Sequence, residues 1–205
     1  MDQVTPSMEP YVYPPHPHKR RHGPAGYASH KEYRRWLEDD FIFRCVYCLK
    51  RMVWAPTDIW AVDHLVPQEE APELACQYDN LVLACQFCNT LKSSHRVPDP
   101  CIVAYGSCLR MESTGVVTPL NKHGKRLVDT IRLNHHSHVE EREKWIRALH
   151  LLAQHDPVEF ERLMGFPGNL PNLTKLRPPA GNRRPDGVFE CYFAKRERGA
   201  LPKTY

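Results

Sequence analysis

The sequence predicts an α+β fold: a metal-stapled core, then a hairpin and helices, set between irregular Pro-rich ends. Three observations predict it. Cys45-x2-Cys48 and Cys85-x2-Cys88 form two thiol pairs far apart in a chain of 205 residues. Short aromatic and β-branched runs surround them, and longer stretches with helical periodicity follow. The prolines gather toward the ends, with six of the nineteen inside residues 1–24.

Residues 1–28 read as an extended, poorly ordered basic arm rich in Pro and His. Its His16, His18 and His22 read as arm residues rather than metal ligands. The core is expected over residues 29–100. Ser29-x2-Glu32 is a capping box, and Tyr33, Trp36 and Leu37 then share one face, which predicts a short helix near 30–38. Arg34 and Arg35 lie off that face, either solvated or in reach of phosphate. Residues 41–54 suit a cysteine knuckle feeding a strand. Residues 59–66 read as a strand and 81–83 as a short apolar run. A helix is expected from about Cys85 to before Pro98.

Residues 101–164 read as a hairpin plus a helical extension. The hairpin spans 101–120 with a turn at Gly115. A helix over 125–133 puts Leu127, Val128 and Ile131 inward and stops at Asn134. Ser137-x2-Glu140 is a second capping box, predicting a longer helix to about His155 with Val139, Ile146, Leu149 and Ala153 inward. Glu140/Lys144 and Glu143/Arg147 are i,i+4 pairs on its wet side, and Pro157 reads as the stop beyond it. Residues 165–205 read as an irregular basic tail packed on the domain.

Net charge is only +4, but it is unevenly spread. Residues 16–36 carry six Lys/Arg against one acid, residues 175–205 eight against three, and residues 37–174 fourteen against eighteen. An acidic body with basic ends suits ends that touch a polyanion, or tails that simply stay solvated. No apolar run reaches the length of a membrane span, and the N-terminal residues lack a signal-like apolar stretch. A cytoplasmic, reducing setting without a membrane partner is therefore expected. There, paired cysteines read as metal ligands rather than as a disulfide framework. Cys76, Cys101, Cys108 and Cys191 have irregular spacing and read as small buried hydrophobes.

Zinc prefers four soft ligands in a tetrahedron, and Cys45, Cys48, Cys85 and Cys88 complete that set. With every position filled by thiolate, such a zinc is structural. Between the pairs stand Asp63-His64-Leu65-Val66-Pro67 and Asn80; Asn89-x2-Lys92 follows directly on Cys88. In order, spacing and flanking cysteines, residues 40–95 resemble the HNH endonuclease family, in its four-cysteine zinc-containing bacterial form. Residues 124–142 resemble, more weakly, segments that follow such motifs.

The resemblance implies a ββα-metal, treble-clef-like fold around one catalytic divalent ion. His64 matches the family's first His, Asn80 its central Asn, and Asn89 its final His or Asn. Phosphodiester hydrolysis needs a base to activate water and a cation to absorb charge on the departing oxygen. His64, with an ordinary pKa near ~6.5, can be that base. Asp63 and Asn89 supply oxygens suited to Mg²⁺ or Mn²⁺, and Asn at the last position favours Mg²⁺ over softer metals. Neighbouring strand residues face opposite ways, so Asp63 and His64 can share a site only where the strand ends or distorts. By resemblance, Asn80 braces the loop and His64 through backbone hydrogen bonds. Lys92, one turn on from Asn89, is a candidate phosphate contact or a solvated helix lysine.

DNA is the expected partner, with RNA as the other candidate and a second protein as a possible source of target choice. The competing readings are a non-catalytic zinc-dependent nucleic-acid-binding module and a zinc-stapled protein adaptor.

Overall fold

Two short strands and a helix form the centre of the molecule. β1 (Trp60–His64) pairs antiparallel with β2 (Leu81–Cys85), Trp60 opposite Cys85 and His64 opposite Leu81. β2 is buried along its whole length, which is why its residues are uniformly apolar. It runs straight into α2 (Gln86–Lys92), where Cys85 is the N-cap and its sulfur accepts the Cys88 N–H. This ββα unit, seen in a computed structural model that describes residues 9–205, bears out the predicted fold class. α2 is shorter than expected. Ser93 takes φ +51, outside the helical region, and turns the chain away before Pro98.

The first capping box forms as predicted, with Ser29 and Glu32 each bonding the other's backbone. It opens a 3-10 turn, His30–Tyr33, that leads into α1 (Arg34–Asp40), which packs across both strands. The predicted hairpin is β3 (Leu109–Met111) with β4 (Val117–Pro119), turned at Gly115, where φ is +81. α3 (Lys122–Ile131) buries Leu127 and Ile131 and ends with Arg132 in the left-handed conformation. Asn134 then clamps the hairpin, its amide bonding both the N–H and the C=O of Val117.

Gly124 lets α3 lie directly on the backbone of the hairpin strand. A Cβ there would stand 1.9 Å from the Cys108 carbonyl oxygen. Gly124→Ala must displace the helix, and a loss of about 1–3 kcal/mol is expected. Denaturant midpoints check this; an unchanged midpoint would mean that α3 is not seated as described.

α4 (His136–His155) starts earlier than its sequence suggested. The residue that caps it is His135, whose Nδ1 accepts the Ser137 N–H, while its carbonyl already takes the His138 and Val139 N–H groups. Ser137 is thus inside the first turn and its capping box does not form. Pro157 is not a stop. Asp156 caps α5 (Pro157–Met164), and proline fits its first position because no intrahelical N–H is needed there. The C-terminal segment, expected to be irregular, holds one further helix, α6 (Tyr192–Glu197), and packs on the domain with the Tyr192 N–H on Asp39. Among the described residues, no helix is long and apolar enough to cross a membrane.

The basic arm differs most from expectation. Residues 1–8 lie outside the described residues. From residue 9 the arm is extended but held tightly. Tyr11 stands edge-on to Trp54, the Tyr13 hydroxyl donates to the Tyr47 carbonyl, and His18 stacks on Phe41. Its Arg20 and Arg21 have partners inside the protein, as do Arg34 and Arg35 of α1. α1 ends in three buried acids, Glu38, Asp39 and Asp40. Arg21 and His22 bond Asp39, the Arg21 N–H bonds Asp40, and Arg34 and Arg35 bond Glu38. Much of the charge that suggested a polyanion-binding arm, that of Arg20, Arg21, Arg34 and Arg35, faces buried carboxylates.

His18 gives the fold a pH dependence. Burial pushes its pKa down to about 4, while in the unfolded chain it returns to the ordinary 6.5. Between those values the unfolded state binds the proton more tightly, so stability falls as pH drops through the window. Denaturant midpoints from pH 7 to pH 4 should fall less steeply in His18→Phe; equal slopes would contradict the assignment.

Candidate active site and zinc centre

The four predicted zinc ligands meet. The sulfurs of Cys45, Cys48, Cys85 and Cys88 all lie within 4.8 Å of one another, and all four residues are buried. Cys48 and Cys85 sulfurs are 3.7 Å apart, against the edge of about 3.8 Å of a tetrahedron with Zn–S bonds of about 2.3 Å. The first pair sits on a knuckle closed by the Leu49 N–H on the Cys45 carbonyl (3.0 Å), with Leu49 at φ +62. The second pair is fixed by the end of β2 and the first turn of α2.

Metal-free, the thiols are in conflict. Burial raises the Cys45 thiol, but hydrogen bonds from Cys48, Cys85 and Cys88 overcome it and hold Cys45 well below its usual value. The Cys45 contact drives Cys48 up, and burial drives Cys88 up. A dication removes the conflict by stabilising all four thiolates. α4 completes the surroundings. His138, 4 % exposed, lies with Nε2 3.5 Å from the Cys88 sulfur, and burial lowers its pKa to about 4. A neutral imidazole can then donate Nε2–H to the thiolate. Arg142, one turn on, is buried with Nε and Nη1 lacking partners among the described residues.

A second site opens beside the metal cluster. Asp63, His64, Asn89 and Lys92 line one cleft of about 400 Å³, together with Gln68, Ser93 and other polar residues. β1 ends at His64, so the pleat no longer sends Asp63 and His64 to opposite sides.

Each side chain has a distinct setting. Asp63 is 4 % exposed. Its Oδ1 accepts from the His64 N–H (2.8 Å) and from Lys92 Nζ (3.1 Å), and its Oδ2 accepts from the Tyr47 hydroxyl (2.6 Å). Burial pushes its pKa up, against the Lys92 charge and the Tyr47 hydrogen bond. A carboxylate has about four acceptor positions, so one on Oδ2 is left for a cation. The Nε2 of His64 is 2.9 Å from the Ala75 carbonyl. A carbonyl only accepts, so Nε2 carries the proton and Nδ1 is the basic nitrogen. Asn89 lies on α2, and its side-chain amide makes no hydrogen bond among the described residues.

Residues 45–95 match the family model for HNH endonuclease. No curated protein matches the chain. The HNH segment runs from the first zinc cysteine to just past α2, so it spans both the cluster and the cleft.

Within the HNH segment, Asn80 stands apart from the cleft. Its Oδ1 accepts the Val66 N–H (2.8 Å), and its Nδ2 donates to the carbonyls of Val66 and Leu74. It ties the start of the 65–75 loop to its end, where Ala75 holds His64.

Lys92 is placed differently from the surface phosphate contact that its helical position suggested. It is 1 % exposed, and its ammonium donates to Asp63 and to the His64 carbonyl (2.6 Å). Lys92→Ala would leave Asp63 buried without its counter-charge, and a loss of about 3–5 kcal/mol is expected. Pairing Lys92→Met with Asp63→Asn should recover most of it. Equal stability of Lys92→Ala and wild type in denaturant melts would contradict the ion pair.

Several contributors carried no sequence signal. Tyr47 fills a variable place inside a C-x2-C pair, Ala75 acts through its carbonyl, and His138 arrives from outside the HNH segment.

Proposed function

We propose that the protein is an endonuclease that hydrolyses DNA phosphodiester bonds with a hard divalent ion, Mg²⁺ or Mn²⁺. The observation that carries this reading is the cleft shared by Asp63, His64 and Asn89, with Nε2 of His64 tied to the Ala75 carbonyl. The Oδ2 of Asp63 and the amide oxygen of Asn89 would hold the ion, and both are the hard oxygen donors it prefers. Bound there, the ion withdraws charge from a phosphate oxygen and from the departing alkoxide.

Nδ1 of His64 takes a proton from water as the water oxygen attacks phosphorus. The bond to Ala75 keeps the other ring proton in place, so the resulting imidazolium is already oriented and partly stabilised. Asn80 holds the loop that carries this carbonyl. Lys92 and the Tyr47 hydroxyl favour the ionised form of Asp63 against burial. The zinc, saturated by thiolates, has no position for water and serves as a clamp.

One observation favours a non-catalytic nucleic-acid-binding module instead: Asp63 is paired with the buried Lys92 ammonium (3.1 Å). Plasmid relaxation in a metal series separates the two. Nicking with Mg²⁺ or Mn²⁺ that stops in EDTA supports the nuclease. Salt-sensitive DNA binding with no cleavage in any divalent ion supports the module.

A further inference from the structure

One side chain from outside the HNH segment reaches the reacting group. His30 opens the 3-10 turn before α1, and its ring stands edge-on to that of His64, with centroids 4.8 Å apart at 68°. Gln68 lies beside both rings, and its amide nitrogen, 3.4 Å from His30 Nδ1, can donate to that nitrogen. We propose that His30 is a positioning residue for His64, an assignment that rests on the nuclease reading.

A single hydrogen bond cannot orient an imidazole. The Ala75 carbonyl holds one ring atom but leaves the ring free to swing about that contact. The His30 ring, packed against the His64 ring at a steep angle, removes that freedom. His30 can do this because it is itself fixed. Its turn is locked by the Ser29/Glu32 capping box. The same turn is bound to the loop that holds His64: the Tyr33 hydroxyl donates to the Cys76 carbonyl (2.9 Å), and the Cys76 thiol donates to the Ala28 carbonyl (3.4 Å). Ala75, which receives Nε2, is the neighbour of Cys76. His30 and Ala75 therefore move as one body and close on His64 from two directions. A base displaced by about 1 Å loses on the order of 10²-fold in rate, which makes such a second contact functionally significant.

The test is steady-state cleavage of an oligonucleotide duplex by wild type, His30→Ala, His30→Phe and His64→Ala, with imidazole ¹⁵N spectra of the same zinc-loaded proteins. His30→Ala should lower kcat roughly tenfold or more with KM within about twofold and the melting temperature nearly unchanged. His30→Phe, which restores a ring edge, should recover most of kcat. In the spectra, His64 should be a single Nε2–H tautomer in wild type and a mixture in His30→Ala. Wild-type kcat in His30→Ala, with His64→Ala inactive, overturns the assignment and leaves the nuclease reading intact. If wild type cuts nothing in any metal, the nuclease reading fails. The spectra then decide alone: an unchanged His64 tautomer in His30→Ala overturns the positioning contact.

Discussion

Stripping the zinc is expected to unfold the domain. Structural zinc in small tetrathiolate or mixed sites contributes an apparent ~10–16 kcal/mol near neutral pH, as much as or more than the ~5–15 kcal/mol of a typical domain's total stability. In this protein the ion would tie the 45–49 knuckle to the junction of β2 and α2, reinforcing the single backbone bond from the Val46 N–H to the Leu83 carbonyl (3.0 Å). Without it, four buried thiols must share protons in a space sized for a cation. A strong chelator at neutral pH should abolish the cooperative thermal transition, and Cys88→Ser should not fold. Elemental analysis should give one zinc per chain. A chelated protein that melts at the untreated temperature would show that the cluster is not a clamp.

His64→Ala is expected to lower cleavage by about 10²–10⁴-fold, the usual contribution of a general base, with the melting temperature little changed. The side chain lines an open cleft rather than the core, and its backbone bonds to Asp63 and Lys92 survive truncation. Asn89→Ala should instead raise the metal concentration needed for half-maximal rate. Cleavage by His64→Ala at the wild-type rate would remove His64 from the chemistry.

Much of the centre was legible in the sequence because it is written in spacing. The C-x2-C pairs need no tertiary information to be recognised as ligands. The Asp63-His64 pair at a strand end, and Asn89 one position after Cys88, place the cleft next to the cluster. What was not legible depends on partners distant in the chain. Arg21 and His22 look like a solvated basic run until Asp39 and Asp40 are seen buried beneath them. Periodicity put Lys92 on the face of Asn89, but not that its ammonium would turn back to Asp63. Pro157 ends one helix and begins another equally well, and only the Asp156 cap decides between them. His138 belongs to α4, and nothing in the local sequence marks it as a neighbour of Cys88.

The sharpest test is anomalous scattering from crystals of the zinc-loaded protein soaked in Mn²⁺. Two peaks are expected: one among the sulfurs of Cys45, Cys48, Cys85 and Cys88, and a second, manganese peak in the cleft, about 2.0–2.3 Å from Asp63 Oδ2 and the Asn89 amide oxygen, with the His64 ring across from it. A cleft without manganese, or an ion bound away from both oxygens, would contradict a zinc-clamped, metal-dependent active site.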